Sequence, residues 1–541
     1  MKNYTLKQHF FIFLVILAAI FLSTSPYIVG YFLSGDDFFA GSNHLNSSDV
    51  NIYLSYIEQV KAGRYLVGNL FTSESQSFIF FTPLWLLLGL IGKLLNINSI
   101  LLFHLARVIF GFLFLYFIFY YFLNLFFKKF FDKMIAFLLI IFSSGIGLFF
   151  KPPTKGLILD EEYVINYFPV DLIFPEANTF LSLAHSGLFI LSLLFIVLVF
   201  YLFLKENKSK FYYIFIFGIS LLLGFMHTYD SLVILAVLAV YFIVSFIFRD
   251  LELILEYKNY IIKYVCLALG FLPSFIYFYF IVRKEPALWG WIEQNIIYSP
   301  PFRNYLLGYG LLIFLSIITL FLFNKKENKF VYFLLCWVLT LLVLAYIPLN
   351  FQRKLINSCH LGLAILASYG FIFLIRNVFK IFGHNYKSIL ITIIFFIFLS
   401  LSSLSFVVTL IWNYQNQREY FYFPQAYYQA VLWLKQYSGQ NEAILAEVTN
   451  GNFLPAISSR PVYLGHRHQT INCNDKNRLL GDWFFQNNNQ DQVKADFLHK
   501  YNINYIFYTD RERFLGDYNL EEADYLEKVF FNKEVNIYKV K

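Results

Sequence analysis

Runs of about 20 apolar residues recur along the first three quarters of this chain, and a run of that length crosses about 30 Å of hydrocarbon as a helix. They fall at 10–33, 99–127, 134–150, 179–204, 211–226, 231–248, 260–282, 304–323, 330–349, 357–377 and 387–412. The chain is 59% hydrophobic and only 14% charged, against about 25% charged in an ordinary soluble domain. The expected fold is therefore an all-α polytopic membrane protein of about eleven to thirteen transmembrane helices. The run 77–94 is interrupted by Pro83, Gly89 and Gly92 and reads as a re-entrant or interfacial helix pair. The first run is too long for a cleaved signal sequence and reads as an uncleaved span.

Charge places the loops. The basic stretches at 128–133, 205–210, 324–329 and 376–387 are expected in the cytoplasm with the N-terminus, by the positive-inside rule. The formal charge of +8 is thereby accounted for without nucleic acid. The opposite loops, 34–98, 151–178, 227–230, 283–303 and 350–356, then face outward, as does everything from 413. That tail alternates helical and short β-rich stretches: a helix over 426–436, a strand over 443–447, an Asn-Gly turn, a helix over 492–500, and strands over 504–508 and 535–540. It is expected to be a small C-terminal extracytoplasmic α/β domain, 413–541, on a membrane domain of 1–412. The four cysteines show neither a disulfide framework nor metal spacing.

Polar residues collect at the outward ends of the spans. The first loop carries Asp36, Asp37 and Asp49, the last at the start of an amphipathic helix with Val50, Tyr53, Leu54, Ile57 and Val60 on one face and Gly63 as its stop. The second carries Asp160, Glu161, Glu162, Asp171 and Glu176. His227 and Asp230 bracket a tight turn, and Arg353 and Lys354 precede His360. Arg107 shares a helix face with His104 and is expected to pair with an outer-loop carboxylate. Ionisable groups at membrane depth are costly and usually face a polar cavity or a partner. Cations beside carboxylates suit chemistry on a lipid phosphate: the cations hold the phosphate and a carboxylate takes a hydroxyl proton.

The segments SSDVNIYLSYIEQVKAGRYLVGNLFTSES, FHLARVIFG, PEANTFLSLAHSGLFILS, GFMHTYDS, WIEQNIIYSPP with LLGYG, FQRKLINSCHLGLAILA, SSRPVYLGHRHQT and FYTDRERFLG, taken in order, resemble bacterial integral-membrane glycosyltransferases of the GT-C type. That superfamily includes protein mannosyltransferases, aminoarabinose transferases and oligosaccharyltransferases, and the likeness is to an uncharacterised bacterial branch. The resemblance implies an inverting transferase in a bacterial plasma membrane. It would take a polyprenyl-phosphate sugar as donor and pass the sugar to an acceptor, whether lipid, glycan or protein. It implies a first-loop aspartate as general base: Asp49 by the branch pattern, Asp36 or Asp37 by the mannosyltransferase pattern. Where the branch has Pro-His, this chain has Ala184-His185-Ser186.

Each residue also has a plainer reading. Asp49 can cap its helix, Asp36 and Asp37 can mark the exit of the first span, and Glu176 can complement a helix N-terminus. His227 and Asp230 can simply close a turn, and Arg353 and Lys354 can snorkel. His466 and His468, two apart, are a weak metal signal. No cofactor is demanded; a divalent metal would fit if first- and second-loop carboxylates converged. Two other functional classes stay open, a transporter or flippase of lipid-linked sugars and a non-catalytic envelope assembly protein.

Overall fold

The computed structural model describes residues 4–541 except 46, 153–160, 206–208, 248–256, 323–328, 384–385 and 489. Asp160 and most of the basic loop at 324–329 lie outside the described residues. The chain forms two compact units. One comprises Met1–Val29, His104–Ile276 and Ile297–Asn416; the other comprises Gly30–Phe103, Tyr277–Ile296 and Gln417–Lys541.

Nine helices among the described residues are long and apolar enough to cross a membrane, from Leu6–Leu33 to Tyr386–Asn416. Two shorter apolar helices, Lys210–Met226 and Phe330–Leu344, stand where further spans were expected. The helix Pro83–Leu95 has 13 residues. At 1.5 Å per residue it reaches about 20 Å, short of a bilayer core.

Two spans in the first unit are broken. Phe130–Phe142 ends where Ser143 becomes extended, and the chain resumes as a tight turn over Gly147–Phe150. Thr179–His185 and Gly187–Leu204 are separated by the extended Ser186. Backbone freed from a helix at membrane depth must find partners in the protein. The Ser143 carbonyl accepts from His360 Nε2 at 2.9 Å and from Ser403 Oγ at 3.3 Å, and the Ser144 amide donates to the Leu399 carbonyl at 2.7 Å. Thr179 Oγ1 lies 2.8 Å from His360 Nδ1. These contacts assign His360 the neutral tautomer with its proton on Nε2, so this histidine is a structural brace.

The second unit is α/β. Its strands are β1 (Phe38–Phe39), β2 (Tyr422–Phe423), β3 (Ala443–Leu445), β4 (Ile503–Tyr508), β5 (Leu526–Phe531) and β6 (Asn536–Val540). Four of them form a sheet in the order β3-β4-β6-β5, with β3 and β4 parallel and the other pairs antiparallel. Successive side chains of a strand point to opposite faces. Tyr505 and Phe507 of β4 accordingly enter a core with Tyr427, Leu434 and Phe453, while Ile506 enters one with Tyr463, Phe497 and Tyr538; Ile503 joins that second core out of the alternation, where the β3–β4 register shifts. The first outer loop belongs to this unit, because β1 pairs antiparallel with β2.

Three local expectations are corrected. The first-loop helix runs Ser47–Lys61, so Asp49 lies within its first turn rather than capping a helix from Val50. That helix is buried almost all round rather than amphipathic, because helices Pro83–Leu95 and Val448–Ser458 both pack on it. At its end Gly63 takes φ 102, with Arg64 N bonding Gln59 O and Gly63 N bonding Val60 O, the Schellman stop that favours glycine. Third, Asn450-Gly451 is no turn. It lies inside Val448–Ser458, whose N-terminus is capped by Glu447. Gly451 is needed there for close approach, since a Cβ would stand 1.8 Å from the Leu464 carbonyl oxygen.

Candidate functional site

In the first unit, a cation–carboxylate cluster gathers residues from four chain segments. Glu176 sits in a 3-10 turn, Pro175–Ala177, just ahead of the helix that Asn178 caps. Since Asn178 supplies the cap, the Glu176 carboxylate is released from that duty. It meets Arg353 Nε at 3.0 Å and Lys354 Nζ at 3.9 Å, and its side chain is only 2% exposed. Burial works against its charge, but Lys354 and Arg353 outweigh that and hold the carboxyl below its ordinary value. The Arg353 guanidinium lies 4.2 Å from the Phe174 ring centre, and the Lys354 ammonium 5.4 Å from that of Phe189.

The same Phe189 ring packs against His227, with ring centres 5.8 Å apart. His227 Nδ1 lies 2.7 Å from Asp230 Oδ2, and Asp230 also accepts from Ser192 Oγ and, at 2.9 Å, from Asn357 Nδ2. Asn357 directly follows the 3-10 turn Gln352–Ile356 that carries both cations. The left-handed Ser358, φ 75, leads from it into the next helix. Fixing Asn357 to Asp230 therefore fixes the cation-bearing turn.

The cluster has donors to spare. Among the described residues, Arg353 forms a hydrogen bond through Nε alone, Lys354 has only its 3.9 Å ion pair, and His227 bonds through Nδ1 alone. The terminal guanidinium nitrogens, the ammonium and His227 Nε2 are thus left with donor or acceptor capacity. Arg107, by contrast, is fully buried and bonds the Ser23 and Leu183 carbonyls and Thr24 Oγ1, over the Tyr27 ring. Among the described residues no carboxylate is its partner; it ties helix Leu6–Leu33 to the break after Leu183.

Asp171 is a second buried carboxyl of the first unit. Its Oδ2 accepts from the amides of Gly145 at 3.1 Å and Gly147 at 3.3 Å, and burial pushes it up to about 7. It braces the broken span after Ser143. Glu162 is exposed.

The second unit holds the first-loop aspartates. Asp36 is exposed, and Asp37 forms an open ion pair with Arg418 at 3.0 Å. Asp49 Oδ1 faces His466 Nε2 at 3.3 Å, the histidine 2% and the aspartate side chain 27% exposed. The sequence signalled His466 only through its spacing from His468. Among the described residues no three His, Cys, Asp or Glu side chains converge as a metal site, so Asp49 and His466 alone do not make a complete ligand set.

No protein-family model matches the chain, and no curated protein matches it in sequence. Solved structures do match in fold. The archaeal oligosaccharyltransferase AglB from Archaeoglobus fulgidus, in complex with an inhibitory peptide and a dolichol-phosphate, superposes with TM-score 0.54 at 11% identity, covering 93% of this chain and 70% of that one. ArnT from Cupriavidus metallidurans, bound to undecaprenyl phosphate, superposes with TM-score 0.51 at 11% identity, covering 99% and 98%. The fold is that of the GT-C glycosyltransferases. With this fold and nine helices among the described residues long and apolar enough to cross a membrane, the chain is an integral membrane protein.

Proposed function

We propose that this GT-C chain moves a sugar from a polyprenyl-phosphate carrier to an acceptor hydroxyl at the outer membrane face. The observation that carries this reading is the unspent donor set on Arg353 and Lys354, seated on the buried Glu176. A phosphate monoanion or dianion is the ligand such a set takes. The dolichol-phosphate and undecaprenyl phosphate bound by AglB and ArnT support a lipid phosphate as that ligand. The cations bind the carrier and neutralise charge on the departing phosphate. Asp49 takes the proton from the attacking hydroxyl, and inversion follows from its direct attack on the sugar carbon. Asp37 and Asp36 are the next candidates for the base. In this reading the N-terminus is cytoplasmic and the α/β unit extracytoplasmic in a bacterial plasma membrane.

Transport would call on the two broken helices. The backbone groups freed at the first break, at Ser143 and Ser144, are taken up by His360, Ser403 and Leu399, and ahead of the second the Leu183 carbonyl is taken up by Arg107, which favours transfer over passage.

The test is binding of undecaprenyl phosphate to the full-length protein in nanodiscs. Arg353→Ala and Lys354→Ala are each expected to weaken it about tenfold; native affinity in both overturns the phosphate site. With undecaprenyl-phosphate-linked sugars, Asp49→Asn is expected to slow transfer by about 10²–10⁴. A native rate moves the base to Asp37.

A further inference from the structure

We infer that His466 is a positioning residue for Asp49, delivered by a loop of the C-terminal tail; the inference rests on Asp49 as the general base. Three observations within the second unit carry it.

The first is the tautomer. His466 Nδ1 accepts from the backbone amides of His468 at 3.1 Å and Gln469 at 3.3 Å. With that lone pair engaged, the proton of the neutral ring sits on Nε2, the atom 3.3 Å from Asp49 Oδ1. The ring therefore donates to the carboxylate.

The second is rigidity. The loop that carries His466 is fastened to the first outer loop and to the helix Pro286–Gln294. Thr470 Oγ1 donates to the Phe71 carbonyl at 2.6 Å, and Asn69 Nδ2 donates to the Gln469 carbonyl at 2.7 Å. Gln294 Nε2 donates to the carbonyls of His468 at 2.9 Å and Thr470 at 2.7 Å. Phe71 presents its ring to the imidazole with centres 5.8 Å apart. A donor held this way is preorganised, and reacting groups gain most from support that does not itself move.

The third is the contrast in exposure. His466 is buried while Asp49 remains partly open. The imidazole reaches the carboxylate from the buried side, while the aspartate side chain keeps 27% of its exposure. Three carboxylates are present in the first outer loop before its helix has passed one turn, and the histidine contact singles out Asp49 from Asp36 and Asp37. This explains why a tail so far away in sequence carries a buried histidine at the first-loop helix.

Two substitutions separate positioning from loop folding. His466→Asn keeps an acceptor for the amides of His468 and Gln469 but is too short to reach Asp49. His466→Gln places an amide N–H where Nε2 was. The probe is a water-soluble carbodiimide with a small amine, applied to the full-length protein in nanodiscs, with modification of Asp49 followed by mass spectrometry across pH. Asp49 is expected to react several-fold faster in His466→Asn, with the profile displaced to higher pH, and to return to the native profile in His466→Gln. Transfer from undecaprenyl-phosphate-linked sugars is expected to lose kcat about tenfold in the Asn variant, with donor KM unchanged, and to recover in the Gln variant. Native reactivity and kcat in His466→Asn overturn the inference, as does failure of Gln to restore either in a protein of native thermal stability. If Asp49→Asn transfers at the native rate, the general-base reading falls instead, and the labelling result alone shows whether the contact exists.

Discussion

Arg353 Nε and Lys354 Nζ converge on one oxygen of one buried carboxylate, Glu176 Oε1, at 3.0 and 3.9 Å. Two adjacent cations share a single counter-charge, so the group keeps one net positive charge. A buried pair of this kind adds little stability over an apolar replacement, yet losing one partner is expensive. That imbalance suits a place where an anion arrives and leaves.

Glu176→Gln is accordingly expected to lower stability by about 3 kcal/mol, because it leaves two cations half-buried without a counter-ion. Undecaprenyl phosphate affinity is expected to hold or rise, since the positive surplus grows. Thermal unfolding in detergent, with and without the lipid phosphate, checks both.

The pH dependence of stability is expected to have two limbs. Glu176 and Glu58 are held below their ordinary value despite burial, the first by Lys354 and Arg353 and the second by Lys435 and Lys61. Their contribution is complete above the ordinary value of 4.5 and is lost as pH falls below it. Asp171 acts in the opposite sense. With its carboxyl raised from 3.8 to about 7, the stability tied to its protonated form fades as pH rises across that interval. Asp171→Asn is expected to remove the upper limb and leave the acid limb unchanged, read by unfolding at a series of pH values.

Asp230→Ala strips the acceptor from Ser192, Asn357 and His227 at once. The expected cost is about 3 kcal/mol, from buried donors left unpaired. Undecaprenyl phosphate binding should weaken as well, because Asn357 no longer anchors the turn bearing Arg353 and Lys354. Asp230→Asn, which keeps one acceptor oxygen, should fall between Ala and native in both measurements.

Gly451→Ala tests the close approach in the tail. Its Cβ would stand 1.8 Å from the Leu464 carbonyl oxygen, a backbone atom that cannot rotate away. Overpacking of this kind costs about 1–3 kcal/mol, outweighing the alanine's helix preference. Chemical unfolding of the full-length chain should show a net loss.

The membrane helices were legible because their signal is local: each is a stretch of apolar residues, and the eleven expected runs all carry helix. The strands near Ile503–Tyr508 and Asn536–Val540 were legible for the same reason, through β-rich runs. The hidden features depend on pairing across the chain. Nothing near Phe38 announces Phe423 as its neighbour across a strand pair, and nothing near Ser143 announces that Asp171 will hold the glycines that follow. Asn450-Gly451 misled because glycine serves two purposes, a permitted backbone angle and a missing side chain, and the dipeptide does not say which applies. Arg107 misled because a buried guanidinium can be satisfied by carbonyls at a broken helix as well as by a carboxylate.

The pairing of β1 with β2, and the packing of helix Val448–Ser458 on Ser47–Lys61, also set an order of events during synthesis. The first outer loop leaves the ribosome early, but the strand and helix that complete it come almost last. Until then the part of helix Ser47–Lys61 that packs on Val448–Ser458 has no final cover. Contacts of such long sequence separation form slowly, and an early segment awaiting a late one is prone to wrong association. A nascent chain halted before the tail would therefore contain its membrane helices and its aspartates, yet have no finished α/β unit.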